Sequence, residues 1–262
     1  MLLRYTTNPY NLIQGGYMSR AKRSHKRRQR VRERYQQESN ILNFNREKRK
    51  RNPDLIPKSK NQETYILDLQ DPRKDIVIGY GPAGTGKTYL AMQAAVKALR
   101  NREVERIVLT RPAVGVEDEK HGFLPGTLEQ KMAPWVRPLH DVLREYYSVQ
   151  EITRMMEEEI IEISPLAFMR GRTFKRSFIV ADEMQNATPG QMKMLLTRIG
   201  EGTKIVVTGD VEQTDKNKSN NGLFDLYHRL FNNKVNKISV CEFDATDIQR
   251  HHIISDVLNL YN

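Results

Sequence analysis

The eight residues "GPAGTGKT", Gly81–Thr88, constrain the fold of this chain more than any other stretch. They match the pattern G-x-x-x-x-G-K-[ST], an apolar run of strand length over residues 76–80 precedes them, and the helix-forming run "TYLAMQAAVKAL" follows them. Glycines in such a loop let successive backbone N–H groups surround phosphate oxygens, and the N-terminus of the following helix adds a positive dipole. The pattern therefore predicts a phosphate loop between a buried strand and a helix.

We expect every residue of this loop to contribute to binding ATP. Lys87 is placed to reach the β- and γ-phosphates, and the Thr88 hydroxyl to ligate Mg²⁺. The predicted nucleotide contacts are Gly81, Pro82, Ala83, Gly84, Thr85, Gly86, Lys87 and Thr88.

Short apolar runs alternate with helical patterns along most of the chain. Strand-like runs occur at residues 76–80, 106–110, 159–163, 178–181, 204–208 and 237–243. Strands separated by helices are typical of a mostly parallel sheet covered on both faces, so we predict an α/β fold. The prolines and glycines between Gly122 and Pro138 predict a long loop, followed by the helix "LHDVLREYY".

Two acids follow the apolar run in "FIVADEMQN", residues 178–186. Because acids are poor choices inside a sheet, Asp182 is expected to support Mg²⁺, and Glu183 to accept a proton from an attacking water as general base. The alternative is that Asp182 caps a helix that begins near Pro189.

A third run, "IVVTGDVEQTD" at residues 205–215, also ends in an acid. Ligands of α/β proteins gather at the carboxyl ends of parallel strands, so this run would bring Asp210 and Gln213 close to the γ-phosphate. Gln213 could orient water or sense the phosphate, and Asp210 could order that network or touch Mg²⁺. The corner of a surface hairpin is the alternative.

Positive charge is concentrated at the N-terminus. Residues 1–60 hold 17 of the 43 lysines and arginines but only 4 of the 32 acids, which gives them a net charge of +13 and leaves −2 for the remainder. This basic tail has few apolar residues to bury, so we expect it to be disordered in isolation. Attachment to the phosphates of RNA or single-stranded DNA is one interpretation, and a solvated charge run without a dedicated function is the other.

Composition also limits the cellular compartments in which we expect this protein. The single cysteine, Cys241, excludes an internal disulfide and a four-cysteine zinc site, which favours a reducing compartment. No stretch reaches the roughly 18 apolar residues of a membrane span, and the N-terminus lacks the apolar region of a signal peptide. A cytoplasmic location without membrane association is the expectation.

The motifs "GPAGTGKT", "VADEMQN" and "TGDVEQ" stand in this order, and the last resembles a motor motif of superfamily-one helicases. The finer resemblance is to the PhoH-like family of P-loop ATPases, through "NQETYI", "LTRPAV", "GFLPG", "PLAFMRGRTF" and "DEMQNATPGQMKMLLTRIG". It covers residues 61–262, which we take as the ATPase domain after the tail at 1–60. The resemblance implies a RecA-like fold, ATP hydrolysis and a role in RNA or DNA metabolism.

The resemblance also implies roles for residues that spacing alone does not assign. Gln62 resembles the glutamine that reads adenine in helicase-like ATPases; the alternative is an exposed helical residue. Arg250 lies at the position of the family's C-terminal arginine and is our candidate arginine finger. The family often has a proline-containing stretch after that arginine, whereas "HHII" follows here.

Three further arginines follow strand-like runs. Arg111 could meet phosphate or nucleic acid, or form an ion pair with the acidic residues 117–119. Arg170 and Arg172 flank a glycine and suit contact with a phosphodiester backbone, although a structural turn explains them equally well.

These features together predict a nucleic-acid-associated, helicase-like ATPase. One phosphate loop in about 200 residues is enough for a single RecA-like unit, so we expect a homo-oligomer that completes each site across a subunit interface, with a hexameric ring favoured. The alternatives are a nucleic-acid-binding protein with a regulatory ATP site and a small-molecule kinase. The adjacent acids and the G-D-x-x-Q pattern favour the motor.

Overall fold

The computed structural model describes residues 53–112, 139–210 and 220–249, together with Glu33 and Gln36. The chain divides into two units, residues 1–50 and 51–262, and the elements below belong to the second. Three predicted features lie outside the described residues: the loop over 122–138, Gln213 and Arg250. Almost all of the basic tail lies outside them too.

The described residues form six strands that join in one sheet. In chain order they are β1 (Ile76–Tyr80), β2 (Arg106–Arg111), β3 (Ile161–Pro165), β4 (Ser177–Ala181), β5 (Lys204–Gly209) and β6 (Ile238–Glu242). The order across the sheet is β3-β2-β4-β5-β1-β6, and each neighbouring pair is parallel. The predicted α/β fold with a parallel sheet is confirmed.

Helices connect the strands. They are α1 (Lys60–Gln70), α2 (Lys87–Arg100), α3 (residues 139–146), α4 (Val149–Glu157), α5 (Pro189–Leu196) and α6 (Gly222–Asn232). Three short 3₁₀ turns lie at Leu166–Met169, Met184–Asn186 and Ala245–Asp247. Because every strand runs in the same direction, all strands end at one edge of the sheet, here called the carboxyl edge.

Alternate residues of the strands point to two separate cores, which is why the central strands read as continuous apolar runs. On one face, Val77 of β1 and Val180 of β4 pack with α1, α2, α3 and α4. On the other face, Ile78 and Ile179 pack with α5, α6 and the two 3₁₀ turns at Leu166–Met169 and Met184–Asn186. Helices on both faces leave the carboxyl edge as the accessible rim of the sheet.

The third strand begins two residues later than the predicted run at 159–163. The end of α4 explains the difference, since Glu159 N donates to Met156 O and Ile160 N donates to Met155 O, and Glu159 has a φ of 54°. This is a Schellman ending, in which a residue in the left-handed conformation terminates the helix. Glu159 and Ile160 are therefore part of the helix terminus, and β3 starts at Ile161.

Lys204, the first residue of β5, fixes the end of α1 at the opposite edge of the sheet. Its Nζ donates to the carbonyl oxygens of Leu69 and Asp71, both at 2.8 Å. A lysine at a helix C-terminus satisfies carbonyls that the helix leaves unpaired. Burial there lowers the pKa of Lys204 to about 8. A cavity of about 430 Å³ lies beside Lys204, whose ammonium group is already engaged by these carbonyls.

No helix in the described ranges is both long and apolar enough to cross a membrane.

Candidate nucleotide-binding site

The phosphate loop follows β1 at the carboxyl edge and leads directly into α2, which begins at Lys87. Gly86 is the N-cap of α2 with a φ of 82°, and it supplies no side-chain acceptor to the first N–H groups of the helix. Gly84 also has a positive φ, of 87°. The loop thus presents backbone donors and a helix N-terminus to the same space, as phosphate binding requires.

Gly81 is needed because another backbone crosses the start of the loop. A Cβ at this position would lie 2.2 Å from the carbonyl oxygen of Phe243, and the φ of Gly81 is 136°. The N–H of Phe243 in turn donates to Tyr80 O at 2.8 Å. The residues after β6 therefore hold the loop against β1 at a separation that only glycine permits.

Lys87 is turned onto the loop itself. Its Nζ donates to Gly81 O and Pro82 O, both at 2.7 Å, and to Thr85 Oγ1 at 3.2 Å, and only 7% of the residue is exposed. These carbonyl oxygens are acceptors for the buried ammonium group. The ammonium group lies within the loop that is expected to receive phosphate.

Asp182 follows β4 and accepts hydrogen bonds from three neighbouring elements. The hydroxyl of Thr88 donates to Asp182 Oδ1 at 2.7 Å, and that of Thr208 on β5 donates to the same oxygen at 2.6 Å. Arg111, the last residue of β2, donates to Oδ2 through Nε at 3.0 Å and also through Nη2. The carboxylate side chain is 4% exposed and the arginine 20%.

The next acid, Glu183, has an unusual backbone. Its φ of 56° and ψ of 36° are left-handed, a conformation that costs a non-glycine residue about 1–2 kcal/mol. Such outliers cluster at functional sites because the surrounding structure must hold them in place. Glu183 is exposed, in contrast to the buried Asp182, so adjacent acids have different surroundings.

Gln185 connects Glu183 to Asp210. Its Nε2 donates to Glu183 Oε2 at 2.6 Å, and its Oε1 accepts from Asp210 N at 3.1 Å. Asp210 Oδ2 accepts from Ala83 N of the phosphate loop at 3.1 Å. A continuous hydrogen-bonded path therefore runs from Glu183 through the end of β5 to the loop.

Residues near both ends of the domain donate hydrogen bonds to carbonyl oxygens of the phosphate loop. Gln62 of α1 is 3% exposed, and its Nε2 donates to Thr85 O at 3.0 Å. Gln249 N donates to Gly84 O at 2.9 Å. Asn61 Nδ2 donates to Asp247 Oδ2 at 2.9 Å, which joins the two supporting segments to each other. The alternative for Gln62, an exposed helical residue, is wrong.

Most of the predicted site residues thus converge on one pocket of about 370 Å³ at the carboxyl edge. It is lined by residues of the phosphate loop together with Arg111, Asp182, Glu183 and Asp210. The acidic cluster proposed as a partner of Arg111, residues 117–119, lies outside the described ranges; within them Arg111 pairs with Asp182.

The alternative interpretations of Asp182 as a helix cap and of Asp210 as a hairpin corner are both wrong. The helix near Pro189 is capped by Thr188, whose hydroxyl accepts from Gln191 N, and not by Asp182. Strand β5 lies between β4 and β1 in the parallel sheet, so it is not an arm of a hairpin that turns at Asp210.

Arg170 and Arg172 differ in the contacts that their guanidinium groups make. Both nitrogens of the Arg172 fork donate to the carboxylate of Glu162 on β3, and the guanidinium carbon lies 4.5 Å from the centre of the Phe174 ring. Arg172 is therefore occupied by structural contacts. Arg170 is exposed and has no ion pair in the described part of the chain.

The sequence motifs assign no role to Gln185 or Thr208, although Gln185 contacts Glu183 and Thr208 contacts Asp182. Gln185 stands two residues after Glu183, and Thr208 stands two residues before Asp210. A side chain at a strand end, next to residues already assigned to a site, is the signal that could have identified both.

The donor set fits ATP and Mg²⁺. Thr88 and Asp182 offer a hydroxyl and a carboxylate oxygen side by side, which are ligands that Mg²⁺ prefers. The described residues contain no group of three or more His, Cys, Asp or Glu side chains that could hold a metal without help. Mg²⁺ is commonly held by few protein ligands together with the phosphates of its nucleotide.

A phosphate loop after the first strand of a parallel sheet, with an acid at the end of a nearby strand facing its threonine, defines a RecA-like P-loop protein of the ATPase type. Residues 54–262 match the family described as "PhoH-like protein". The chain belongs to the PhoH-like family.

Several relatives support this membership. The chain is 46% identical to the PhoH-like protein of Bacillus subtilis (strain 168) over 206 residues, which are 78% of this chain and 63% of that protein. It is 46% identical to the PhoH-like protein of Mycobacterium tuberculosis (strain H37Rv) over 213 residues, or 81% and 59%. It is 35% identical to Protein PhoH of Escherichia coli K12 over 211 residues, or 79% and 58%. The chain thus spans about 60% of the length of these relatives.

Solved structures are more remote. The HK97 bacteriophage large terminase aligns over 72% of this chain and 40% of its own with 14% identity and a TM-score of 0.44. The Pif1 helicase of Candida albicans aligns over 79% and 44% with 16% identity and a TM-score of 0.37.

Proposed function

We propose that this protein hydrolyses ATP in the pocket at the carboxyl edge and couples hydrolysis to a bound single strand of RNA or DNA. The observation that carries the ATPase is the meeting of Lys87, Thr88, Asp182 and Glu183 around one pocket. The loop amides and Lys87 would bind the phosphates, while Thr88 and Asp182 would hold Mg²⁺. Mg²⁺ bound there would neutralise part of the charge on the β- and γ-phosphates.

Lys87 must change partners when phosphate arrives. Its ammonium group now donates to two carbonyls of the phosphate loop, and a phosphate oxygen is a stronger acceptor because it is charged. In the reaction, Lys87 stabilises the negative charge that develops on the transferred phosphoryl group.

Glu183 is the candidate general base. It is exposed at the pocket, and one of its carboxylate oxygens is held by Gln185. A general base must point in a fixed direction toward the water it activates, and the Gln185 amide supplies that orientation. Because the same amide accepts from Asp210 N, we assign Asp210 to ordering this network. Gln213, three residues further on, is our candidate for sensing the γ-phosphate.

Gln62 is our candidate for contact with adenine. Its amide uses one donor on Thr85 O and one acceptor position on Lys58 N, at 3.0 and 2.8 Å. A glutamine amide has two N–H groups and two lone pairs, so one donor and one acceptor position remain. This pair is complementary to the edge of adenine, which presents a donor beside an acceptor.

The nucleic-acid part of the proposal rests on charge. The basic tail at 1–60 carries +13, and each phosphate that it neutralises releases counterions. Steady-state phosphate release, measured alone and with single-stranded RNA, single-stranded DNA and duplexes, tests the whole proposal. We expect stimulation by a single strand. Negligible turnover with intact ATP binding indicates a regulatory ATP site, and turnover that needs a small-molecule acceptor indicates a kinase.

A shortened chain tests the tail separately. Without residues 1–60, the affinity for the same strand should fall, and the logarithm of the binding constant should depend less steeply on salt, by about 0.7 for each lost phosphate contact. An unchanged salt dependence would remove the tail from the proposal but leave the ATPase intact.

We further propose that the protein works as a homo-oligomeric ring, with a hexamer favoured, in which Arg250 of one subunit completes the site of its neighbour. Arg250→Ala and Glu183→Gln proteins should each be inactive alone. Mixed together, they should regain activity, because some interfaces then combine an intact Arg250 with an intact Glu183. No recovery after mixing, with subunit exchange verified by mass measurement, would contradict an arginine supplied in trans.

A further inference from the structure

The turn after β3 exposes an aromatic ring on a firmly anchored backbone. In the 3₁₀ turn Leu166–Met169, Leu166 is 1% exposed and Met169 is fully buried in the core beneath α5. Phe168 lies between them and is 55% exposed. Since the flanking residues fix the turn from below, the position of Phe168 is determined by the fold, although its ring contributes little to the core.

A positive charge stands two residues beyond this ring. Arg170 is exposed and has no ion pair among the residues that the structure describes. Gly171 follows with a φ of 79°, and no atom lies within 4 Å of where its Cβ would be. The space around this backbone is therefore open. Arg172, by contrast, is bound to Glu162 and stacks on Phe174, which fixes the far end of the segment.

The turn lies on the same edge of the sheet as the nucleotide pocket. Pro165, the last residue of β3, pairs in register with Arg111, the last residue of β2. On its other side β2 pairs with β4, and Asp182 directly follows β4. Two strand spacings, or about 10 Å, separate the ends of β3 and β4 across the sheet. A ligand on the turn is thus within reach of the elements that hold Asp182.

We propose that Phe168 and Arg170 form a contact site for one nucleotide of a single strand, with a base stacked on the Phe168 ring and the adjoining phosphate bound by Arg170. Stacking needs a base whose face is free, which a single strand offers and a duplex does not. An exposed arginine beside an exposed ring matches the alternation of phosphate and base along such a strand. The inference rests on the proposed function, which it deepens by locating the strand next to the ATP site.

Fluorescence anisotropy with labelled U12 and dT12 tests the site in the full-length protein. Phe168→Ala should weaken binding about 5- to 150-fold, the range for loss of one stacked base, and Phe168→Trp should restore it. The factor for Phe168→Ala should stay the same at every salt concentration, because stacking is not a charge interaction. Arg170→Ala should instead flatten the salt dependence by about 0.7 in logarithmic slope.

An abasic strand of equal length separates the two contacts. On this probe, Phe168→Ala should bind like the wild type, whereas Arg170→Ala should still bind more weakly. Two matched controls belong to the opposite edge: Phe231→Ala, at a residue 78% exposed near the end of α6, and Arg176→Ala, just before β4. Neither control should alter binding or the basal ATPase activity.

The outcomes distinguish this site from the proposed function. If the wild type binds and is stimulated by a single strand while Phe168→Ala binds equally well, the site is wrong and the proposed function stands. If Phe168→Ala weakens binding equally on the abasic strand, the ring does not stack on a base, and the proposal fails in that form. If the wild type binds neither U12 nor dT12 and its ATPase is not stimulated, the proposed coupling to nucleic acid fails first.

Discussion

Glutamine in place of Glu183 is expected to leave ATP binding unchanged and to lower turnover by a factor of about 10²–10⁴, the usual contribution of a general base. The amide keeps the size of the carboxylate and one oxygen that can accept from Gln185 Nε2, so the geometry of the site should persist. It removes the basicity needed to take a proton from water. Phosphate release reports turnover, and calorimetric titration with ATP reports binding.

A second glutamate serves as the matched control. Glu201 is exposed in the turn before β5, at the edge of the sheet opposite the pocket. Glu201→Gln removes the same charge from the same type of side chain and should leave turnover unchanged. Turnover of Glu183→Gln equal to that of the wild type would remove Glu183 from the role of general base.

Replacing Arg111 by glutamine is expected to destabilise the nucleotide-free protein and to lower the Mg²⁺ concentration needed for half-maximal nucleotide binding. The guanidinium now pairs with Asp182, the residue expected to support the metal, so a cation of the protein competes with Mg²⁺ for one carboxylate. Breaking a fully buried pair costs about 3–5 kcal/mol. Because Arg111 is partly exposed and two hydroxyls still donate to Asp182, we expect about 1–2 kcal/mol here.

Thermal unfolding and Mg²⁺ titrations with a fluorescent ATP analogue measure these two effects. Removal of one competing charge interaction of this size corresponds to about a tenfold lower Mg²⁺ requirement. Arg229→Gln, which breaks an exposed pair with Asp225 on α6, should change stability by less than about 0.5 kcal/mol and leave the Mg²⁺ requirement unchanged. A higher Mg²⁺ requirement in Arg111→Gln would mean that the arginine assists nucleotide binding and does not oppose it.

Local sequence patterns predicted most of the fold because the phosphate loop, the apolar runs and the helix signals agree with one another. The runs at 76–80, 106–110, 178–181 and 204–208 correspond to strands within one residue at either end. The run at 159–163 differs because its first residues end α4, and apolar content alone does not reveal the left-handed turn at Glu159. The order of strands in the sheet depends on packing between residues far apart in the sequence, which local patterns do not reveal.

The position of a residue in the fold could be predicted where that residue directly follows a strand, because the direction of the strand determines it. Asp182 and Asp210 reach the phosphate loop because β5 ends beside β1 and β4 ends beside β5. Ion pairs between side chains could not be predicted from the sequence in the same way. Nothing in the letters of the sequence shows that Arg111 pairs with Asp182, or that Arg172 is bound to Glu162, because both contacts arise from neighbouring strands or turns. Gln213 and Arg250 keep their roles as predictions.

The way in which the two ends of the domain hold the phosphate loop has a consequence for synthesis on the ribosome. In the folded domain Gln62 and Gln249 both donate to carbonyls of the loop, and the contact that joins their segments links Asn61 to Asp247, 186 residues apart. Translation produces the loop early but its last support late. A nascent chain should therefore be unable to retain ATP until nearly the whole domain has emerged, and a fragment that stops short of Gln249 should carry the motif without a working site.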